Sequence, residues 1–226
     1  YGTRSTVQKV IRGKKVKVDG QVIIKPETAV NPLTSIVEVN GERMDYQEFY
    51  HFILNKPRGY ITATEDGRDQ TVLDLLEERD QNKEVFPVGR LDKDTEGLLI
   101  LTNDGKMAHG LLSPKRHVDK VYYARVAGKM TEEDIKMFAE GITLTDGTKY
   151  APGKLEIIRS DEESEIYVTI HEGKFHQVKR MVQAVGKEVV YLKRIKMGGL
   201  ELPEDLSLGN YRTLTKEELD LLTQTQ

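Results

Sequence analysis

The stretch that most constrains the fold lies near the middle of the chain, at residues 88–105, and reads VGRLDKDTEGLLILTNDG. Its second half contains a short, wholly apolar run, Leu98 to Leu101, which an Asn-Asp-Gly sequence closes. An apolar run that ends at turn residues predicts a buried strand followed by a turn. Its first half is strongly charged, which predicts a polar loop held by that strand. A loop on a rigid scaffold can present a reactive carboxylate, so Asp92 and Asp94 are candidates for catalysis.

Length and composition exclude several classes of protein. The 226 residues suffice for one large domain or for a small domain plus a medium one. A hydrophobic share of 38% beside 31% charged residues is typical of globular proteins rather than disordered ones. The sequence has no apolar run long enough to cross a membrane and no signal-peptide pattern, so we expect no membrane partner. The lack of cysteine excludes disulfides, thiol catalysis and cysteine-ligated zinc, and it fits a cytoplasmic location.

Positive charge is concentrated in two parts of a chain whose net charge is −3. Residues 1–25 carry seven basic side chains against one acidic side chain, and residues 171–200 carry seven against two. Either cluster alone is most simply a solvated surface. Two such clusters on a mildly acidic body indicate a polyanion that is held at defined places.

Hydrophobic periodicity divides the chain into a small N-terminal unit and a larger second unit. Ser5 to Arg12 has apolar residues at helical spacing, and two short apolar runs around Asp19-Gly20 predict a hairpin. Another strand is expected at Ile36 to Val39, and the polar residues 42–50 are expected to be a linker. In the second unit we expect helices at residues 71–78, 106–112, 131–140, 175–185 and 215–222, and strands at 50–54, 98–101, 121–126, 155–158, 166–170 and 188–196.

The strands expected in the second unit fit an antiparallel sheet. The strands at 155–158 and 166–170 are joined by a short charged turn, which a parallel pair could not use. In the strand at 121–126, alternation places Tyr122 on the opposite face from Tyr123. Thr131 is the expected N-cap of the helix that follows.

Several motifs carry a resemblance to one family. The string GRLDKDTEGLLILTNDG resembles the signature of RsuA/RluA-type pseudouridine synthases, and the segments NKPRG, KVY, HQVKRM and GNYRTLTKEE resemble their other motifs. The string GTRSTVQKVIRGKKVKVDGQVI resembles the S4-type RNA-binding module. The resemblance extends from residue 1 to about residue 222 and is closest to the RsuA branch of the RsuA/RluB family.

This resemblance implies roles for individual residues. Asp92, the aspartate of GRLD, would be the nucleophile, and Lys179 would be the cation that keeps it ionised. The ring of Tyr122 would lie against the target base, which any base permits because each has a face for stacking. Leu192 would supply an apolar contact to the base, and Arg90 would fill the place that the base leaves. Phosphate contacts are expected from the basic residues of the S4-like module: Arg4, Lys9, Arg12, Lys14, Lys15 and Lys17.

The resemblance also implies the fold, the reaction and its partners. The fold would be α+β, with a mostly antiparallel sheet flanked by helices. We expect an isomerase that converts a uridine of 16S ribosomal RNA to pseudouridine after flipping it out, without a metal or other cofactor. The substrate would be 16S RNA, free or in an assembling small subunit, and the protein would be a cytoplasmic monomer. Residues 1–44 would form an S4-like module whose first helix is missing, since the family has a further helix upstream that this sequence does not contain. Residues 45–226 would form the catalytic domain.

Other interpretations remain open from the residues alone. An aspartate in a polar loop is commonly a turn former, and a tyrosine on a strand commonly packs in a core. The chain could be a sister synthase that acts on 23S RNA, or a catalytically silent RNA-binding protein. A glycosidase that uses Asp92 with Asp94 is a further alternative, although the sequence has no tryptophan for a sugar platform.

Overall fold

The N-terminal unit is one helix packed beside a small antiparallel sheet. The computed structural model describes residues 2–32, 34–44 and 47–224. The helix is α1 (Arg4–Arg12), and the strands are β1 (Val16–Val18), β2 (Gln21–Ile23), β3 (Val37–Val39) and β4 (Glu42–Met44), in the order β2-β1-β3-β4. Both tight turns of this sheet, Asp19-Gly20 and Asn40-Gly41, have positive φ angles at both residues. Asp-Gly and Asn-Gly pairs favour this hairpin conformation, so the turns fix the pairing of the strands.

The second of these turns corrects one prediction. Residues 42–44, expected to begin the linker, pair with β3 as strand β4. The chain reverses at Asn40-Gly41 and therefore places the next residues beside β3. The connection to the second unit falls after Met44, where residues 45 and 46 lie outside the described part of the chain.

The second unit is built on one large mixed sheet. Its helices are α2 (Glu78–Gln81), α3 (Gly105–Leu112), α4 (Glu132–Glu140), α5 (Gln177–Ala184) and α6 (Lys216–Thr223), with 3-10 helices at Val72–Leu75 and Pro114–Arg116. Its strands are β5 (His51–Lys56), β6 (Phe86–Pro87), β7 (Glu96–Thr102), β8 (Lys120–Ala127), β9 (Ile142–Thr143), β10 (Lys149–Tyr150), β11 (Lys154–Arg159), β12 (Glu163–Ile170), β13 (Glu188–Met197), β14 (Leu200–Glu201) and β15 (Tyr211–Thr213).

The large sheet has the order β11-β12-β8-β13-β7-β5-β15, with β6 beside β7 and β14 beside β13. Among the pairs described, only β13 and β7 run parallel. This confirms the α+β class with a mostly antiparallel sheet. The hairpin of β11 and β12 is antiparallel, as its short connection requires.

Strand β7 is the centre of the core, and all seven of its residues are buried. Leu99 and Leu101 belong to the hydrophobic cluster on one face of the sheet, and Leu98 and Ile100 belong to the cluster on the other face. A strand covered on both faces has no need of alternating polar residues, which explains the continuous apolar run in the sequence.

Most of the expected helices are present, and one differs. Thr131 caps α4 with its side chain, as predicted. The helix expected over residues 71–78 is instead a single 3-10 turn, Val72–Leu75, followed by the separate helix α2. The backbone is extended at Leu76, which turns its side chain into the core and so ends the helix. Within the described ranges, no helix has the length and apolar character needed to span a membrane.

Candidate active site

The loop that carries Asp92 is held from below by a buried lysine. Lys56, at the end of β5, is 0% exposed. Its ammonium group donates hydrogen bonds to the carbonyl oxygens of Asp92 at 3.0 Å, Thr95 at 2.8 Å and Pro57 at 3.1 Å. The Lys93 carbonyl oxygen is a fourth, longer acceptor at 3.4 Å, so backbone oxygens satisfy all three donors of the buried ammonium and fix the loop backbone.

The environment of Lys56 changes its acidity. Burial lowers the pKa of Lys56 to about 8, although the negative charges of Asp94, Asp92 and Glu96 oppose that shift. A second contact holds the loop at Leu91, the residue before Asp92. The Thr62 hydroxyl donates to the Leu91 carbonyl oxygen and accepts from the Leu91 N–H. Asp92 therefore lies on backbone that is fixed on both sides.

A cluster of charged side chains surrounds the Asp92 carboxylate. The Nζ of Lys179, on α5, lies 3.0 Å from Asp92 Oδ2 and 2.6 Å from Asp94 Oδ1. The Nε2 of His176 lies 3.5 Å from Asp92 Oδ1. The predicted pairing of Asp92 with Lys179 is thus present in the geometry, but Lys179 also binds Asp94, which the sequence suggested only as an alternative catalytic carboxylate.

The acidities of the cluster follow from these contacts. Partial burial lowers the pKa of Lys179, but hydrogen bonds to Asp94 and Asp92 outweigh it and raise that pKa above its usual value. Burial raises the pKa of Asp94, whereas the hydrogen bond from Lys179 lowers it, and the lowering dominates. Lys179 therefore stays charged and Asp94 stays ionised at neutral pH.

Asp92 opens onto a pocket beside the centre of the sheet, with about 390 Å³ of empty volume that is open to solvent. Tyr122 on β8 and Leu192 on β13 form its apolar wall, and both are at most 8% exposed. Arg90, which is exposed, and His176 lie along its polar side. The pocket thus has one apolar wall and one polar side, the arrangement typical of sites that bind small organic groups.

Comparison with known proteins decides the family. A model of the family described as RNA pseudouridylate synthase matches residues 50–184, which is more than half of the chain and includes the Asp92 loop and α5. The chain belongs to the RNA pseudouridine synthase family. Members of this family are RNA isomerases, and RNA is accordingly the substrate of this enzyme.

Individual relatives of this pseudouridine synthase align over nearly its whole length. It is 49% identical to "Uncharacterized RNA pseudouridine synthase YtzG" of Bacillus subtilis, over 100% of this chain and 95% of that relative. It is 39% identical to the ribosomal large subunit pseudouridine synthase B of Bacillus subtilis, over 97% of this chain and 90% of that one. It is 37% identical to the ribosomal small subunit pseudouridine synthase A of Escherichia coli, over 96% of this chain and 93% of that one. Its relatives thus include both branches of the RsuA/RluB-type enzymes.

A solved structure supports the same assignment. A crystal structure described as a pseudouridylate synthase superposes with a TM-score of 0.72 at 36% identity, covering 97% of this chain and 94% of that one. The extent of this match means that the α+β fold of the synthase is shared over both units.

The structure of this synthase brings together five of the residues that the sequence singled out. Arg90, Asp92, Tyr122 and Leu192 line one pocket, and Lys179 contacts Asp92 from α5. The other predicted contacts belong to the N-terminal unit, on or just after α1, where all six side chains are exposed: Arg4, Lys9, Arg12, Lys14, Lys15 and Lys17.

Sequence reasoning missed residues whose roles depend on distant contacts. Lys56 belongs to the NKPRG segment, which gave it no role of its own, and the structure buries it under the Asp92 loop. His176 belongs to the HQVKRM segment, which indicated no partner for it, and the structure places it against Asp92. A lysine between a buried strand and proline is the available signal for Lys56, since a charge there must find backbone acceptors. Among the described residues, no group of three or more His, Asp or Glu side chains is placed to hold a metal ion.

Proposed function

We propose that this synthase isomerises one uridine of small-subunit ribosomal RNA to pseudouridine, with Asp92 as the nucleophile. The observation that carries the proposal is the placement of Asp92 on the pocket, 3.0 Å from the Lys179 ammonium and on backbone fixed by Lys56. An ionised carboxylate is the form that attacks, and the Lys179 ammonium lies within ion-pair distance of the Asp92 carboxylate.

The reaction balances within the substrate itself. The N1–C1′ bond of the uridine breaks, the uracil turns while it is held, and C5 forms the new bond to C1′. The proton leaves C5, and N1 gains one. Because nothing is oxidised, reduced or transferred away, the protein must supply a nucleophile, a cation and walls that retain the free base. Asp92, Lys179 and the apolar surface of Tyr122 and Leu192 meet these needs.

The walls of the pocket suit a base that must turn without escaping. Tyr122 and Leu192 are buried on neighbouring strands, so their side chains are rigid. A flat aromatic face against the base permits in-plane rotation, because stacking depends little on orientation. Arg90 is exposed at the same pocket, where its guanidinium plane would occupy the stack that the flipped nucleotide leaves.

The N-terminal unit would hold the RNA at a distance from the chemistry. Its six exposed basic residues, Arg4, Lys9, Arg12, Lys14, Lys15 and Lys17, are of the type that contacts phosphates and supplies affinity without reading sequence. On this proposal, residues 1–44 are the S4-like binding module and residues 45–226 are the catalytic domain.

The proposal names small-subunit RNA, and not large-subunit RNA, as the substrate. The segments HQVKRM and GNYRTLTKEE resemble the small-subunit branch, and relatives named for the small subunit support that choice. The 39% identity to a large-subunit synthase makes 23S RNA the second candidate. Mapping pseudouridine in both ribosomal RNAs, with and without the gene, distinguishes them: a site lost from 23S RNA alone overturns the small-subunit assignment. An enzyme that acts on ribosomal RNA would work in the cytoplasm. We expect it to be a monomer, and sedimentation measures that oligomeric state directly.

The nucleophile is tested with Asp92→Asn. This variant keeps the size of the side chain but removes the negative charge, so we expect RNA binding within about twofold of the parent and no detectable tritium release from RNA with 5-tritiated uridine. Asp94→Asn is the matched control, because Asp94 also contacts Lys179 but is mostly exposed, and we expect it to keep substantial activity. Turnover by Asp92→Asn near the parent rate would refute the assignment.

A further inference from the structure

The aromatic pair Phe175 and His176 is an exposed feature at the mouth of the pocket that the reaction does not explain. The ring of Phe175 is 70% exposed, more than any other large apolar side chain in the described ranges. It stacks on the His176 ring with centroids 3.8 Å apart and an angle of 15° between the planes. His176 covers one face of the Phe175 ring, and the rest of the Phe175 ring offers solvent a flat apolar surface.

The backbone that carries Phe175 is fixed, so its exposure is a built feature. Gln177 is buried; its side-chain oxygen accepts from the Lys174 N–H, and its amide donates to Glu172. Glu172 in turn accepts from the N–H of Ala151. His176 has a left-handed backbone, with φ of 48°, and begins α5. A non-glycine residue in that conformation is held there by its surroundings. Here the rings of Phe175 and His176 are stacked face to face.

The pair continues the wall of the pocket outward. His176 lines the pocket, its Nε2 lies 3.5 Å from the Asp92 carboxylate, and the ring of Phe175 stacks on the ring of His176. The occupant of this mouth is RNA, which is the substrate of the family. Extruding one nucleotide from a strand leaves its neighbours without a stacking partner on one side, and aromatic side chains stabilise such bases.

We propose that Phe175, supported by His176, is a stacking platform for the base of the nucleotide next to the target uridine. This inference rests on the proposed function, because it takes the pocket as the place where the uridine is held. The platform binds the flanking base through its π face and is indifferent to which base it is. It therefore contributes to RNA affinity and positions the strand at the pocket, without a role in the bond changes.

The test compares Phe175→Ala, Phe175→Leu and Phe175→Trp on an RNA fragment that contains the uridine converted by the parent. A stacked base is worth about 5- to 100-fold in binding, so we expect Phe175→Ala to raise KM and Kd by that factor, with kcat at saturation within about twofold. Phe175→Trp should restore binding, and Phe175→Leu, which is apolar but lacks a π face, should not. The fluorescence of 2-aminopurine beside the target uridine should be quenched by the parent and not by Phe175→Ala.

Control measurements distinguish stacking on Phe175 from a general loss of apolar surface and from support of His176. Ile158→Ala removes another exposed apolar side chain, on the edge strand β11, and should change nothing. Unchanged KM and Kd in Phe175→Ala, or full rescue by Phe175→Leu, would overturn the proposal. A fall in kcat at unchanged Kd would also overturn it, since Phe175 would then only hold His176 in place. If the parent converts no uridine, Kd values for a short fluorescent oligouridylate still test the platform, and the failure belongs to the proposed function alone.

Discussion

At the scale of single residues, the site depends on one ammonium group shared by two carboxylates. Lys179 contacts both Asp92 and Asp94, and the shorter distance is to Asp94. Asp94 is 68% exposed and Asp92 is 26% exposed, so water screens the outer carboxylate more than the inner one. Asp94 therefore lies toward solvent, and the less exposed Asp92 faces the pocket.

Because one ammonium group serves both carboxylates, we expect activity to depend on the positive charge of residue 179 more than on its shape. Lys179→Arg keeps the positive charge, so we expect most of the activity to remain. Lys179→Met leaves Asp92 and Asp94 adjacent without a cation, which favours protonation of the pair. We expect kcat to fall about tenfold or more, and the acid side of its pH profile to move to higher pH. Tritium release across a pH series measures both effects, and equal profiles for the Met and Arg variants would contradict this role of the charge.

Lys56 predicts a pH dependence of stability. Its pKa is lowered by burial to about 8, whereas an unfolded chain has the ordinary value near 10.5. Between these values the unfolded chain binds a proton that the folded chain has released, so the free energy of unfolding rises with pH through this window. The destabilising effect of the buried charge is complete below pH 8. We expect the parent to gain about 1 to 3 kcal/mol relative to Lys56→Met across the window.

Urea unfolding at a series of pH values, from below the pKa of about 8 in the folded chain up to the ordinary value of 10.5, measures this difference. Lys129→Met, at an exposed lysine after β8, is the matched control, and its stability should run parallel to that of the parent. A parallel course for Lys56→Met would show that Lys56 does not change protonation in the window. Because Lys56 also fixes the Asp92 backbone, Lys56→Met should in addition lower kcat by roughly 10- to 100-fold at neutral pH.

At the scale of elements, the parallel pairing of β7 with β13 joins the Asp92 loop to the rest of the sheet. Glu96 and Gly97, directly after the loop, pair with Lys193 and Arg194. The close approach requires glycine at residue 97. Its φ is +106°, and an added Cβ would lie 2.1 Å from the Arg194 carbonyl oxygen. The end of the loop is thereby fixed against the strand that carries Leu192.

This contact predicts that Gly97→Ala is strongly destabilising. The added methyl group would collide with backbone, which cannot rotate away, and alanine disfavours the positive φ. We expect a loss of about 3 kcal/mol in the free energy of unfolding, measured by urea denaturation. Gly67→Ala is the control, because nothing lies within 4 Å of its added Cβ, and it should change stability by less than about 0.5 kcal/mol. Equal stabilities of the two variants would refute the close approach.

The elements also explain which features could be predicted from sequence. The periodicity of β8 and the cap of α4 are local patterns, and both were predicted correctly. The parallel register of β7 and β13, and the burial of Lys56, depend on residues far apart in the chain, and no local pattern contains that information. The pairing of Lys179 with Asp92 was predicted only through the family resemblance. The contact of Lys179 with Asp94, across 85 residues of sequence, was not predicted.

At the scale of the whole molecule, a mildly acidic protein must bind a polyanion. The net charge of −3 gives no general attraction to RNA, so affinity depends on where the basic residues lie. The N-terminal unit concentrates exposed basic side chains on and just after α1 and on β1. We therefore expect the salt dependence of RNA binding to come mainly from this unit.

A triple variant in which Gln replaces Lys14, Lys15 and Lys17 should show a weaker salt dependence of RNA binding. Each phosphate contact releases counterions and contributes about 0.7 to 0.9 to the slope of log K against log salt concentration. Loss of three contacts should reduce the slope by about 2 to 3 and weaken binding at low salt, while kcat at saturating RNA stays near that of the parent. Fluorescence anisotropy over a salt series, with kinetics at saturation, measures both quantities.

The matched control replaces three exposed lysines of the second unit, Lys129, Lys136 and Lys154, by Gln. The change in net charge is the same, so the control isolates position from charge. If RNA contacts the N-terminal unit, the control keeps the parent's slope, because charges further from RNA than about 10 Å are screened. Equal losses of slope in both triple variants would mean that net charge alone sets the affinity. In that case the N-terminal unit would have no special part in binding, and RNA would be held by the second unit.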